Sequence, residues 1–354
     1  MRQRITNLQA RLRPGEALLL SRATDVSYFT QFHFLVPEER EALALITAEK
    51  AFLFYARFCP VKEVEGITNL VVSHPSQLAD QLSQVKAQLP FATLYLDKSS
   101  LFLDEYEALA GIKELTFASL DHQWVWDVRS LKDETEVAHV TQAGQIAAQS
   151  FEVIMKHVEA GITERDFQIK LEAEMIKRGS QQPAFPTIVA FGEHTALPHH
   201  QPTERKLAPN MPVLVDFGAT ISNYRSDMTR TFWYGDQPAA EFTKIERTVT
   251  EAYRAALDRL NSRTAAPPLA KDVDAAARNL ITKAGYGEYF IHTTGHGVGL
   301  DIHEQPSLNY RNATPIVPGM IITIEPGIYL EGQFGFRYEN TVLVTEDGAK
   351  ELTT

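Results

Sequence analysis

The amino-acid sequence predicts a two-domain protein, in which a smaller α/β domain (residues 1–125) precedes a larger α+β domain (residues 126–354). A chain of 354 residues is long for a single hydrophobic core. Its first part alternates short strand-like runs with helical ones, which is typical of an α/β domain. Its second part contains pairs of helices followed by pairs of strands, twice over, which indicates an α+β fold with internal duplication.

The smaller domain is predicted from five β-rich runs and one amphipathic helix. Apolar residues recur at helical spacing over residues 76–89, and Pro90 closes that helix. A short surface helix is expected before the first strand, ended by Pro14 and Gly15. The five predicted strands cover residues 17–21, 42–47, 51–55, 69–73 and 93–97.

The larger domain begins where the sequence pattern changes to a long amphipathic helix. Thr163 and Asp166 then resemble a capping box, which predicts the start of a second helix. The four helical patterns cover residues 134–159, 164–178, 243–261 and 271–284. The predicted strands cover residues 212–218, 227–234, 320–327 and 336–345.

Composition excludes several classes of partner. The chain has 34 basic and 45 acidic residues, a formal net charge of −11, and no Lys/Arg tract, which argues against nucleic acid and anionic membranes. No apolar run approaches about 18 residues, so no membrane span is expected. The N-terminal segment has no apolar core of signal-peptide length, and a cytoplasmic protein is expected. Because Cys59 is the only cysteine, any metal must be held by carboxylates and imidazoles.

Two pairs of acidic residues at the ends of apolar strands carry the functional prediction. Asp216 and Asp227 lie eleven residues apart, and a hairpin folded at their midpoint would place them opposite each other. Glu325 and Glu339 lie fourteen residues apart around Gly332, with the same consequence. Opposite residues have Cβ atoms about 5 Å apart, where like charges are destabilising. Burying four carboxylates is costly unless cations neutralise them, and two divalent cations cancel four negative charges.

His296 is the candidate nitrogen ligand in this cluster. It is flanked by Gly295, Gly297 and Gly299, which allow close backbone approach to a metal or substrate. An oxygen-rich site with one imidazole suits Mn²⁺ or Co²⁺, with Zn²⁺ or Fe²⁺ as alternatives. Two such metals can bridge a water, lower its pKa and hold it as hydroxide, a nucleophile for an amide carbonyl. The sequence therefore predicts a metal-dependent hydrolase whose cofactor is two divalent metal ions, with Mn²⁺ preferred.

Three further polar residues are candidates for contact with the substrate. His199 and His303 are placed to polarise the scissile carbonyl or to stabilise the tetrahedral intermediate. Arg337 lies two residues before Glu339 on the same strand face. It would either grip a carboxylate of the substrate or orient a metal ligand, and the sequence leaves both alternatives open.

Four segments of the second domain carry distinctive motifs: FPTIVAFGEHTALPHHQPT, VDFGATISNYRSDMTRTF, GHGVGLDIHEQP and IEPGIYLEGQFGFRYENT. In this order they resemble motifs of the pita-bread metallopeptidases, the family of methionine aminopeptidase, aminopeptidase P and prolidase. The resemblance covers residues 134–350, and the N-terminal part looks like the smaller domain of prolidases, aminopeptidase P and creatinase. It implies a pita-bread catalytic domain of the creatinase/aminopeptidase type after a creatinase/prolidase-type N-terminal domain.

The same resemblance implies roles for individual residues. Glu325 is implied as a proton shuttle as well as a ligand, and His199 and His303 as residues that contact substrate. Asp227 and Glu339 are implied as bridging ligands or nearly so. The five implied metal ligands are Asp216, Asp227, His296, Glu325 and Glu339.

The run PEER at residues 37–40 and the segment GYGEYFIHTTGHGVGLDIHEQP look most like bacterial Xaa-Pro dipeptidases, with aminopeptidase P close behind. The implied substrate is a proline-containing dipeptide or a longer peptide, cut at the bond before proline. A dipeptidase must bind the free proline carboxylate, for which Arg337 is one candidate and Arg311 a weaker one.

The resemblance further implies a homodimer, because in the family the N-terminal domain of one subunit often caps the neighbour's active site. Asn340 departs from the family pattern, where Asp is expected, and this affects the surroundings of the ligands more than the ligands. A non-catalytic peptide-binding protein on the same fold is an alternative of another class. That alternative predicts lost ligands, and all five are present. The sequence neither favours nor opposes organophosphate ester hydrolysis, a side activity of some prolidases.

Overall fold

The computed structural model describes residues 2–72, 75–262 and 266–354. The chain divides into two compact units, Met1–Arg129 and Ser130–Thr354, and each is described by itself.

The first unit is built around one six-stranded sheet. Its helices are α1 (Arg2–Gln9), α2 (Ala23–Thr30), α3 (Pro75–Gln88), α4 (Leu103–Ala110) and α5 (Gln123–Arg129). Its strands are β1 (Glu16–Leu20), β2 (Ala42–Thr47), β3 (Ala51–Ala56), β4 (Ile67–Val72), β5 (Thr93–Leu96) and β6 (Thr116–Ser119). The strand order is β4-β3-β2-β1-β5-β6.

The predicted strands and helix of this unit are confirmed, because apolar runs of β-rich composition fill the buried centre of the sheet. Ser73, the last residue of one predicted strand, lies outside the described residues. The sequence analysis missed α2, α4, α5 and β6. The strand β6 has four residues, and the residue before α2, Arg22, makes no side-chain cap, so neither element carries a strong local signal.

The second unit repeats a layer of two helices on a sheet. Its helices are α6 (Glu134–Met155), α7 (Glu164–Lys177), α8 (Ala240–Asn261) and α9 (Ala270–Lys283). Its first strands are β7 (Ile188–Phe191), β8 (Met211–Phe217), β9 (Thr220–Ile221), β10 (Tyr224–Arg225) and β11 (Met228–Tyr234). The later strands are β12 (Gly295–Gly297), β13 (Glu304–Leu308), β14 (Ile321–Ile324), β15 (Gly327–Leu330), β16 (Phe334–Arg337), β17 (Asn340–Thr345) and β18 (Gly348–Glu351).

Each pair of helices covers one sheet. Helices α6 and α7 share a core with the sheet β11-β8-β7, and α8 and α9 share another with the sheet β13-β12-β14-β17-β18. Side chains alternate along a strand, so one face of each sheet meets its helices. In β8, Val213, Val215 and Phe217 face α6 and α7, which directs Asp216 to the opposite face. In β14, Ile322 and Ile324 lie in the α8–α9 core. In each sheet, therefore, the helices cover one face and the opposite face can carry polar residues.

Two predicted strands are each divided in the structure. The predicted run 320–327 separates into β14 and β15, and the predicted run 336–345 begins within β16 and continues in β17. Pro326 has no N–H to donate to a strand ladder, and the chain leaves one sheet for the other at this position. Helix α6 ends at Met155 rather than Glu159, because its last turn tightens with i→i−3 hydrogen bonds, including His157 N–H to Ile154.

Within the described residues, no helix is both long and apolar enough to cross a membrane.

Candidate metal centre

The first acidic pair lies on the hairpin β8–β11, but not in the predicted register. Thr229, not Asp227, lies opposite Asp216. The chain reverses at Ser222 and Asn223, both at positive φ (50° and 67°), one residue beyond the expected midpoint. The prediction of directly facing aspartates is therefore wrong. Asp227 is a diagonal neighbour of Asp216 on the same face, which still allows the two carboxylates to interact.

The second acidic pair has the predicted register. Ile324 pairs with Asn340 on one side, and Gly327 pairs with Arg337 on the other. Both pairs belong to the same register, which places Glu325 opposite Glu339 at the point where the hairpin passes between sheets. Thr323 donates a hydrogen bond to Glu325 (Oγ1 to Oε1, 3.1 Å). Alternation along the strand thus directs Glu325 away from the α8–α9 core.

His296 lies on β12 and faces both acidic pairs. Its Nε2 is 3.1 Å from Glu325 Oε1 and 3.7 Å from Asp227 Oδ2. Its Nδ1 is 3.0 Å from the carbonyl of Gly297. A carbonyl only accepts, so Nδ1 carries a proton, and Nε2, which donates to Glu325, carries one as well. Loss of the Nε2 proton would free that nitrogen, which faces the carboxylates, to bind a metal. The imidazole is therefore oriented as a ligand.

The glycines beside His296 serve strand packing. A Cβ on Gly295 would lie 2.0 Å from the carbonyl oxygen of Thr323, and one on Gly297 would lie 2.4 Å from that of Gln305. Both glycines are thus required by close approach of neighbouring strands. The expectation that they admit a metal or substrate is not supported by these contacts. Gly299 instead lies against the side chain of Glu304.

The buried carboxylates repel one another strongly. Burial, followed by the charges of Glu339 and Asp216, raises the pKa of Asp227 well above its usual range. Burial and the charge of Glu325 do the same to the pKa of Glu339. Burial also disfavours the Glu325 carboxylate, but the hydrogen bond and charge of His296 outweigh it and lower the pKa of Glu325 to about 2. The cluster therefore concentrates negative charge that the described side chains only partly neutralise.

Three carboxylate oxygens in this cluster fit divalent metal ions. These oxygens are Asp216 Oδ1, Asp227 Oδ1 and Glu339 Oε1. They are buried and lack a hydrogen-bond partner among the described residues, which is energetically costly for a carboxylate oxygen. Asp227, His296 and Glu339 also offer ligand atoms within 4.8 Å of one another. Hard oxygen donors with one imidazole suit Mn²⁺, Co²⁺, Fe²⁺ or Zn²⁺.

Arg337 lies against the ligands and is almost fully buried. Its Nη2 donates to Asp216 Oδ2 (2.5 Å), its Nε to Thr229 Oγ1 (3.0 Å) and its Nη1 to the hydroxyl of Tyr329 (2.7 Å). Thr229 in turn donates to Glu339 Oε2 (2.6 Å). These contacts hold one carboxylate from each acidic pair in place. Of the two roles considered for Arg337, these contacts favour orienting the metal ligands rather than binding a carboxylate of the substrate.

The sequence analysis missed Tyr329 and His292. Burial outweighs the charge of Arg337 and raises the pKa of Tyr329 to about 12, so its hydroxyl keeps a proton. That hydroxyl lies 2.9 Å from His292 Nε2, while His292 Nδ1 lies 2.7 Å from the carbonyl of Thr293. Tyr329 therefore donates to His292, which extends the network from Arg337 towards Glu325. No local motif signals this relation, although an extra histidine four residues before His296 was visible in the sequence.

Of the two histidines predicted to contact substrate, His303 lies directly against the candidate ligand His296. The ring of His303 packs edge-on against that of His296, with 4.5 Å between centroids. Burial, the charge of His296 and that of His199 lower the pKa of His303. His199 is exposed and close enough to His303 for this effect. Arg311, the weaker candidate for a carboxylate, is exposed and stacks on Tyr310.

Asn340, the departure from the expected Asp, has a structural reason. Its Nδ2 donates to Glu351 Oε1 (2.7 Å) and to the hydroxyl of Tyr253 (3.0 Å). Its Oδ1 accepts from Arg230 Nη2 (2.8 Å) and Thr353 Oγ1 (3.0 Å). An amide both donates and accepts, whereas a carboxylate would face the negative charge of Glu351.

We expect Asn340→Asp to lower the free energy of unfolding by about 2 kcal/mol, since a buried donor is lost and two carboxylates meet. Urea unfolding would measure the change. Adding Glu351→Gln should recover most of the loss, because a glutamine amide can donate to the new aspartate. Asn261→Asp is the matched control, since the Asn261 oxygen accepts from Ala349 N–H and Asp preserves that oxygen. Equal losses in both single variants would contradict this explanation.

Comparison with known proteins places this unit in a class. The model of metallopeptidase family M24 matches residues 138–346, which include all five candidate ligands. The chain belongs to metallopeptidase family M24, and membership implies divalent metal ions. The pita-bread fold predicted from the sequence is confirmed by the solved structures that resemble it.

Three relatives illustrate the similarity. The chain is 35% identical over 347 residues to an uncharacterised peptidase of Staphylococcus haemolyticus, covering 96% of this chain and 95% of the relative. It is similar to an Xaa-Pro dipeptidase from Bacillus anthracis, with a TM-score of 0.91, 30% identity and coverage of 100% and 97%. It is also similar to an X-Pro aminopeptidase from Thermotoga maritima, with a TM-score of 0.85, 32% identity and coverage of 98% and 97%.

Proposed function

We propose that this protein is an Xaa-Pro dipeptidase that holds two divalent cations at Asp216, Asp227, His296, Glu325 and Glu339. The observation that carries the proposal is the buried cluster of four carboxylates, three of which have an oxygen without a partner among the described residues. Two divalent cations would neutralise that charge. We propose Mn²⁺ as the metal, with Co²⁺ or Zn²⁺ as alternatives, from the hard donor set.

When bound, the two cations would supply a water of lowered pKa and polarise the scissile carbonyl. The side chains of this chain have complementary tasks. Glu325 would accept a proton from the attacking water and pass it to the leaving proline nitrogen. His303 and His199 would donate hydrogen bonds to the developing oxyanion. Arg337 would keep Asp216 in its ligand position.

The dipeptidase assignment is supported by the Bacillus anthracis Xaa-Pro dipeptidase, which gives the higher TM-score of the two structures compared above. Aminopeptidase P is the second candidate, and the similarity to the Thermotoga maritima X-Pro aminopeptidase supports it. A non-catalytic peptide-binding protein is less consistent with an intact ligand set. Because Arg337 is engaged with Asp216, Thr229 and Tyr329, a different residue would have to bind the free proline carboxylate.

Hydrolysis of Leu-Pro, Leu-Pro-Pro and Arg-Pro-Pro, each after chelation and return of Mn²⁺, tests the assignment. We expect only the dipeptide to be cut, and only with metal. Efficient cleavage of the tripeptides would instead identify an aminopeptidase P. No cleavage of any peptide by the metal-loaded protein would reject both peptidase assignments.

We further propose that residues 126–354 form the catalytic domain, since all the candidate site residues lie there, and that the protein is a cytoplasmic homodimer. The dimer is proposed from the resemblance of the N-terminal part to prolidases. Light scattering coupled to size-exclusion chromatography would test it, and a mass near the 39.7 kDa of one chain would reject it.

A further inference from the structure

A second group of ligand-type side chains surrounds Glu164, the first residue of α7. Glu164 is fully buried, and five hydrogen bonds of 2.7–2.9 Å converge on its carboxylate. Oε1 accepts from Phe191 N–H and His194 Nδ1, and Oε2 accepts from His200 Nε2 and from the backbone and hydroxyl of Thr203. The pKa of Glu164 is lowered, because these hydrogen bonds outweigh the effect of burial. Glu164 is therefore an ionised carboxylate with saturated acceptors.

This saturation distinguishes the Glu164 group from the metal centre. Glu164, His194 and His200 could in principle hold a metal ion, since their ligand atoms lie within 4.8 Å of one another. Both oxygens of Glu164 are already satisfied, however, whereas the metal centre has oxygens without partners among the described residues. A carboxylate only accepts, so His194 must carry its proton on Nδ1 and His200 on Nε2. The group is complete without a cation.

The donors to Glu164 all belong to one segment, residues 191–203. The backbone adds to this closure, because Glu164 N–H donates to the carbonyl of Arg205 and Arg165 N–H to that of Thr203. Two N–H groups at the start of α7 are thus satisfied at Thr203, the end of the segment, and at Arg205, just beyond it. Helix α7 therefore holds both ends of the segment that contains His199.

The middle of the segment reaches the metal centre. Arg337 Nη1 lies 3.5 Å from the carbonyl of Pro198, next to His199. Thr195 Oγ1 accepts from Gly335 N–H (2.9 Å), two residues before Arg337. His199 itself is exposed and lies near His303. Residues held by Glu164 therefore flank His199 on both sides.

We propose that Glu164 is a positioning residue for the peptidase reaction, which acts with His200 to hold the 191–203 segment so that His199 reaches the substrate. The inference rests on the proposed function, since His199 has a task only if a substrate binds beside His303. It adds a residue that touches neither metal nor substrate and that the family resemblance did not indicate.

A double-mutant cycle on the Mn²⁺-loaded full-length protein tests the proposal. Glu164→Gln places an amide against converging donors, so at least two hydrogen bonds are lost. We expect Glu164→Gln and His199→Ala each to lower kcat on the cleaved substrate by about 10–100-fold. The two losses should not multiply, so the kcat of the double variant should be within about threefold of the kcat of the less active single variant. Independent, multiplying losses would overturn the proposal.

Two measurements separate positioning from general damage. Metal affinity should be unchanged in Glu164→Gln, because Glu164 contacts none of the five ligands in the described structure. Amide hydrogen exchange should accelerate by about tenfold or more at Phe191 or at Thr203, whichever N–H faces the new amide nitrogen, since the two donate to different oxygens of Glu164. Unchanged exchange would overturn the proposal. This measurement also remains decisive if the wild-type protein cuts no Xaa-Pro peptide, an outcome that rejects the proposed function alone.

Milder variants of His200 cover the case in which Glu164→Gln does not fold. His200→Gln can donate its amide N–H to Glu164 from a position close to that of Nε2, so kcat should stay within about threefold of wild type. His200→Phe removes the donor and should cost about tenfold. Equal activities of these two variants would contradict the proposal. Glu174→Gln is the matched control on α7, where the carboxylate pairs with Lys177 and Arg178.

Discussion

Replacing Asp227 with asparagine is expected to lower kcat by about a thousandfold or more, because the cations supply several kcal/mol of transition-state stabilisation. The ligand atoms of Asp227, His296 and Glu339 lie within 4.8 Å of one another, and the charge of Asp216 also acts on Asp227. We therefore propose Asp227 as a ligand common to both acidic pairs. Metal content by elemental analysis, together with hydrolysis of Leu-Pro, would measure the effect. Asp236→Asn, an exposed carboxylate just beyond β11, is the matched control and should change neither quantity.

Stability should respond in the opposite direction. In the metal-free protein Asp227 contributes repulsion and a desolvated charge, so metal-free Asp227→Asn should melt at or above the wild-type temperature. Added Mn²⁺ should then raise the melting temperature of the wild-type protein and have much less effect on the variant, because ligands stabilise the state that binds them. A lower melting temperature of the metal-free variant, with normal metal binding, would show that Asp227 has a structural task instead.

Arg337→Lys is expected to lower kcat by about 10–100-fold, as is usual when a residue that orients a metal ligand is replaced. Lysine offers one ammonium group where the guanidinium donates separately to Asp216, Thr229 and Tyr329. The loss should appear in kcat on Leu-Pro, with KM changed by less than about threefold.

The kinetic parameter that changes distinguishes the two roles left open by the sequence. If Arg337 bound the proline carboxylate, the variant would lose activity on Leu-Pro mainly through KM, with kcat nearly unchanged. Arg311→Lys is the control, since Arg311 is exposed and stacks on Tyr310 away from the recorded contacts of the ligands.

Much of the fold could be predicted because strong local patterns decide it. The apolar runs at β1, β2, β3 and β5 and the amphipathic helices α6 to α9 carry their own periodicity. Short elements such as β7 and β12 do not, because four or three residues give too little pattern. The break at Pro326 was readable from the chemistry of proline, yet the apolar run on either side concealed it.

The site was predictable to the extent that it depends on composition. Four buried acidic positions and one histidine indicate a metal centre wherever the chain brings them together. The register of Asp216 was not predictable, since it depends on two residues, Ser222 and Asn223, that adopt positive φ. Tyr329 and Glu164 were missed because their roles arise only from contacts between segments distant in sequence.

The four candidate carboxylate ligands also lie on two separate parts of the chain. Asp216 and Asp227 belong to the hairpin packed under α6 and α7, and Glu325 and Glu339 to the one packed with α8 and α9. Cations bound between them would act as removable cross-links that close a loop from Asp227 to Glu325 of about a hundred residues. Separation of the two halves would then require loss of the metal, so chelation would shorten the lifetime of the folded enzyme as well as stop its chemistry. In a cell, metal supply would set the abundance of this protein along with its activity.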